Sequence, residues 1–156
     1  MGRLLRAFGR GRHTARQLEY ASAGRAVFEQ QHVPIVARVR DFLIPGQVAR
    51  GKRVLLAGSV LLTPEIVSAS LGPRMLLVWL PWGSVPDDSQ GAVALRPDGL
   101  HVTYEVARIV PHGRGEISFH YRFTPPAHVN EALAGTTAPL SIEAGAFAEL
   151  CWSALA

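Results

Sequence analysis

The chain has 156 residues, 48% hydrophobic and 18% charged, the size and balance of one globular domain long enough to bury a real core. The apolar runs 54–62 and 75–80 are too short to span a bilayer, and the single cysteine, Cys151, excludes an internal disulfide and any multi-cysteine metal centre. The net charge of +4 is unevenly spread: Arg3, Arg6, Arg10, Arg12 and Arg16 fall in an acid-free opening segment, and the remainder carries eleven basic against twelve acidic side chains.

Residues 1–32 read as a basic N-terminal arm, partly helical. Its first turns place Leu4, Leu5 and Phe8 on one side and arginines, Arg3 and Arg6 among them, on the other, before Gly9 and Gly11 interrupt the pattern. Such a piece suits an anionic membrane surface or a protein partner. It lacks the apolar core of a secretory signal, so a cytoplasmic protein, peripheral to the inner face of the membrane, is expected. Tyr20, Ala23 and Val27, at offsets of three and four, permit a helix within residues 16–32 that Gly24 weakens. Fifteen arginines to one lysine, with abundant Ala, Gly and Pro, suggest a GC-rich bacterial coding sequence.

Residues 33–156 read as a single β-rich domain. Residues 33–44 alternate and stop at Pro45-Gly46. A strongly apolar strand follows over 53–63, and Thr63-Pro64-Glu65 turns the chain into 66–70. Gly72-Pro73 turns it again into a fourth strand over 75–80. The near-continuous apolar character of these runs predicts burial on both faces or closure into a barrel. Trp79 and Trp82 are expected to serve packing and not ligand stacking.

Residues 93–123 predict an antiparallel meander. Pro97-Asp98-Gly99 supplies a tight hairpin turn and residues 111–114 a second reversal. Alternation keeps Val102, Tyr104 and Val106 on one face, with Ile117, Phe119, Tyr121 and Phe123 facing the same way. The pattern sets Val106 opposite Phe119, Tyr104 opposite Tyr121 and Leu95 opposite Val102. On the reverse face this register puts Glu105 across from His120, a pair a general acid/base site would use, although no nucleophile accompanies it. The simpler expectation is a solvated face with opposite charges paired.

Residues 124–140 are rich in Pro, Ala, Gly and Thr, with one helical turn expected over 127–133. The last sixteen residues place Phe147, Leu150, Cys151, Ala154 and Leu155 on one face of a helix, with Ser141 as its expected N-cap. The fold class that follows is mainly β (α+β): a seven-stranded antiparallel, partly open barrel or sandwich with a C-terminal capping helix.

Three stretches carry a family likeness. Residues 58–63 running into 66–68, Leu43-Ile44-Pro45-Gly46-Gln47 and residues 148–155 with Trp152 resemble the early hairpin, the preceding Leu-Pro-Gly stretch and the closing helix of the pleckstrin-homology superfamily and its bacterial, GRAM-like relatives. The resemblance implies a binding or adaptor module that does not catalyse. Phosphoinositide-binding members use basic residues on the first two strands and their loop, which here are Arg38, Arg40, Arg50, Lys52 and Arg53. An anionic lipid surface or a protein is the partner implied. The alternative is a small-molecule enzyme or ligand-binding protein on a compact hot-dog-like fold, acting through Glu105 and His120. No cofactor is expected, and no metal, because His101, His112, His120 and His128 do not place two ligands on one short element. Nothing resembling a zinc finger or an RNP motif points to nucleic acid.

Overall fold

The computed structural model describes residues 11–44, 47–49 and 53–155. Nine strands form one antiparallel sheet: β1 (Phe28–Ile44), β2 (Gln47–Ala49), β3 (Arg53–Leu62), β4 (Ile66–Gly72), β5 (Met75–Pro81), β6 (Gly91–Arg96), β7 (Gly99–Glu105), β8 (Arg114–Arg122) and β9 (Thr137–Pro139). Their order is β5-β4-β3-β1-β8-β7-β6-β9, with β2 folded back on the end of β1. The long first strand pairs with β3 on one side and β8 on the other, so two meanders meet along it. The remaining gap lies between β5 and β6. There β9 pairs with β6, and Thr137 exchanges two hydrogen bonds with Gly83 just beyond β5, at 2.8 and 3.1 Å. The result is a nearly closed antiparallel barrel. The two strands beyond the expected seven, β2 and β9, are three residues each, too short for an alternating pattern to reveal them.

Alternation decides what fills the barrel. Ile35, Ala37 and Val39 of β1 point inward with Val60 and Leu62 of β3, Val102 and Tyr104 of β7, and Ile117, Phe119 and Tyr121 of β8. Tyr104 meets Phe119 edge-on at 6.3 Å, as expected of one shared face. The C-terminal helix, α3 (Ala144–Leu155), closes the core with Phe147, Leu150, Cys151, Ala154 and Leu155, all buried; Phe147 lies 5.5 Å from Tyr104 between ring centres. Burial pushes the Cys151 thiol up to about 12, so it is an inert core group. Ser141 is not the cap: Phe147 N–H donates to the Glu143 carbonyl and the helix starts one residue after Glu143. The short helix α2 (Ala127–Leu133) occupies the span read for it, with Val129 and Leu133 buried.

Both hairpin registers differ from expectation by an even number of residues, so every side chain keeps its face while its partner changes. Leu95 opposes Leu100, and Val102 opposes Phe119. The first shift arises because Arg96 pairs with Gly99, leaving a two-residue turn. The second arises because Val106–Arg108 leaves the strand as a 3-10 turn, burying Val106, Ile109 and Val110 together.

The N-terminal segment packs outside the barrel. Helix α1 (Ala15–Ser22) covers only part of the span considered helical, and β1 begins at Phe28, five residues earlier than expected. A capping box starts α1, with Thr14 Oγ1 accepting from Gln17 N–H and Gln17 Oε1 accepting from Thr14 N–H. Its outer-face contacts include Trp79, which takes the Arg16 guanidinium at 4.1 Å and the Tyr20 ring edge-on at 5.3 Å. Trp82 donates to the Thr63 carbonyl. Both tryptophans therefore serve packing.

Candidate functional site

The outward face of β3, β1, β8 and β7 gathers the described members of the sequence-derived sites. Outward residues of adjacent strands line up in rows. One row runs Arg53, Arg38, Ser118, Thr103; the next runs Leu55, Val36, His120, His101. Arg38 and Arg53 are exposed and stand directly opposite one another, an arrangement of like charges that costs the sheet a few tenths of a kcal/mol up to about 1. Leu55, next to Arg53 on the same face, is 74% exposed. Val36 beside it is buried.

Arg40 continues the basic side one step along β1 and opposes Glu116. Beyond it β1 bulges: Asp41 adopts a positive φ of 48°, and Gly115 of β8 approaches so closely that a Cβ there would sit 2.3 Å from the Arg40 carbonyl oxygen. Arg50 and Lys52, and the arm residues Leu4, Leu5, Phe8, Arg3 and Arg6, lie outside the described residues. Arg38, Arg40 and Arg53 are thus brought to one face.

Glu105 and His120 do not meet. Glu105 opposes Glu116 and pairs with Arg108 at 3.2 Å, while His120 opposes His101. The four-residue register difference is the cause: once residues 106–108 curl away, the ladder partner of His120 is four residues earlier than Glu105. Arg108, held by Glu105, also donates to the carbonyls of Asp87 and Ser89 and so fastens the preceding loop. The expected Glu105/His120 pair is therefore not formed.

In its place the structure forms a cluster that the sequence reading did not assemble. The imidazoles of His101 and His120 stack at 4.1 Å between ring centres, 18° from parallel. Asp98, in the turn between β6 and β7, sits at their edge: His101 Nε2 lies 2.8 Å from Asp98 Oδ1, and His120 Nε2 lies 3.0 Å from the Asp98 carbonyl oxygen and 3.5 Å from Oδ2. Gly99 makes this possible. Its φ is 130°, and a Cβ there would stand 1.9 Å from the Tyr121 carbonyl oxygen, so only glycine lets the turn close onto β8. The hydrogen bond from His101, reinforced by the nearby imidazole charges, holds the Asp98 carboxyl below the usual carboxylate range. The signal that would have found the cluster is the spacing of Val106, Ile109 and Val110, which is helical and ends the strand at Glu105.

No family model, no curated protein and no solved structure matches this chain.

Proposed function

We propose that this protein is a non-enzymatic docking module that meets an anionic membrane surface through the outer face of β3 and β1. The observation that carries the reading is the juxtaposition of Arg38 and Arg53 across the β1/β3 ladder, beside an exposed Leu55. Folding alone gains nothing from two facing guanidinium groups or from a leucine in water. Both become favourable against phosphate oxygens, to which guanidinium forks donate bidentate hydrogen bonds, with an apolar contact at the headgroup boundary. Arg40 extends the same basic side, at about 1 kcal/mol per charge near an anionic leaflet. The acid-free arginine-rich opening adds attraction of the same sign. The likeness to pleckstrin-homology domains leads to the same region. Among the described residues no helix is long and apolar enough to cross a membrane, in keeping with surface contact.

Co-sedimentation with vesicles tests this. Phosphatidylcholine vesicles with a third phosphatidylserine are expected to pellet the protein at low salt, and pure phosphatidylcholine vesicles are not. Arg38→Glu with Arg53→Glu is expected to abolish the difference, and Leu55→Ser to reduce it. Equal recovery with both vesicle types removes the membrane reading and leaves a protein partner for the same face.

A further inference from the structure

Asp98, His101 and His120 do more than pair on the surface: we infer that they form a binding site for a divalent transition-metal ion of the zinc class. Three donors of the right kind converge, two imidazole nitrogens and one carboxylate, and their ligand atoms all lie within 4.8 Å of one another. Around a tetrahedral ion with bonds of 2.0 to 2.1 Å the donors stand about 3.3 Å apart, so the two stacked rings must turn out of parallel to aim both Nε2 lone pairs at one ion.

The backbone supplies the preorganisation. His101 and His120 are direct ladder partners on β7 and β8, which fixes the separation of their Cα atoms. The carboxylate comes from a two-residue turn held in place by Gly99 and its close approach to Tyr121. Both Nε2 atoms already face Asp98. Metal binding takes the Nε2 lone pair of each ring, leaving the ring proton on Nδ1, and replaces both the hydrogen bond between His101 and the Asp98 carboxylate and that between His120 and the Asp98 carbonyl. The set of two nitrogens and one oxygen selects zinc, nickel, cobalt or copper over magnesium and calcium, which need oxygen-rich shells. Because Asp98 is 64% exposed and the imidazoles about a quarter exposed, coordination positions stay open to water or to an external ligand. Sequence spacing hides such a site, since its ligands come from a turn and two different strands.

The test uses the full chain without an affinity tag, titrated with zinc and followed by the carbon-bound imidazole resonances. The resonances of His101 and His120 are expected to shift together and saturate at one ion per chain, while those of the exposed His112 and His128 stay in place. Magnesium at the same concentration is expected to shift neither pair. In calorimetry, His101→Gln, His120→Gln and Asp98→Asn are each expected to weaken zinc binding at least about tenfold, no less than the loss of an outer-shell partner in known sites. All three positions are on the barrel exterior, so unchanged thermal melting of the variants certifies the fold. Uniform shifts at every exposed histidine, or unchanged affinity in the His101→Gln/His120→Gln double variant, overturn the site.

Discussion

The two halves of strand β3 present their outer faces to opposite environments. Toward its C-terminal end, Ser59 and Leu61 are fully buried, together with Ser68 and Ser70 of β4, and Gln17 of α1 reaches Ser59 and Ser68. There Gln17 donates to Ser68 Oγ at 3.0 Å and accepts from Ser59 at 2.8 Å, and Ser59 and Ser70 share a further bond at 2.7 Å. Toward its N-terminal end, Arg53 and Leu55 of the same strand are covered by none of the described residues and are exposed. The sealed half obeys the rule that buried polar groups are matched to partners, with a single glutamine serving three serines directly or through one another. The bare half breaks the corresponding rules for exterior sheet faces, with like charges opposed and an apolar side chain in water. Stability accounts for the first and leaves the second unexplained, which is the ground of the proposed membrane contact.

The largest effect is expected at the sealed half. Gln17→Ala removes the capping partner of Thr14 and strands Ser68 Oγ in a dry interface. At about 1 to 3 kcal/mol for a buried unsatisfied group, with a smaller loss from the cap, the total is roughly 3 kcal/mol. For a chain of this length that lowers the melting temperature by about 10 °C, readable by circular dichroism. Adding Ser59→Ala and Ser68→Ala to Gln17→Ala is expected to restore part of the loss, because removing both sides of a hydrogen bond costs less than removing one. If Gln17→Ala melts with the parent, the two halves of β3 do not differ as argued.

A smaller effect, tied to pH, comes from His13, which anchors the segment leading into α1. It is buried, its backbone N–H donates to Gln31 Oε1 at 2.9 Å, and its Nδ1 has no hydrogen-bond partner among the described residues. Burial lowers its pKa from the ordinary value, with Glu29 at 3.7 Å and Gln17 acting in the opposite direction. A histidine held neutral in the folded state binds its proton more readily when unfolded. Its contribution is therefore fully present above the ordinary value of about 6.5 and is lost as pH falls through the lowered one. Denaturant melts at pH 7.5 and 5.5 are expected to show a larger acid loss in the parent than in His13→Phe. A larger acid loss in the variant reverses the sign and refutes the account.

Much of the fold was legible because a single physical signal, alternation, survives errors of pairing. The inward faces of β1, β3, β7 and β8 and the buried face of α3 follow from it directly. The near-continuous apolar reading of β3 and β4 implied two buried faces, which holds for β4 and the C-terminal half of β3, while the N-terminal half of β3 keeps an exposed outer face. What escaped were features alternation does not encode. An even register shift leaves every face unchanged, so the Glu105 and His120 pairing looked as sound as the true pairing of His101 with His120. The length of the excursion over residues 106–113 decides between them, and only the offsets of Val106, Ile109 and Val110 hint at it. The closing strand β9 sits in a stretch whose Pro, Gly and Thr content reads as loop. The basic residues were legible as types, but their convergence on one face required the β1/β3 register.

The smallest expected effect separates the two halves of β3 most sharply, because stability and binding should move in opposite directions. Arg53→Glu places a carboxylate opposite Arg38 and converts a repulsive cross-strand pair into an attractive one. Surface pairs of this kind are worth about 0.2 to 1 kcal/mol, so the variant should gain roughly half a kcal/mol, near 1 to 2 °C in melting temperature. The same substitution should lower recovery on phosphatidylserine vesicles. A residue kept for folding loses stability when replaced, whereas one kept for contact can gain it, the trade expected where a surface is held away from its stability optimum. If Arg53→Glu lowers the melting temperature and leaves vesicle recovery unchanged, Arg53 belongs with Gln17 as a structural residue and the bare half of β3 loses its functional meaning.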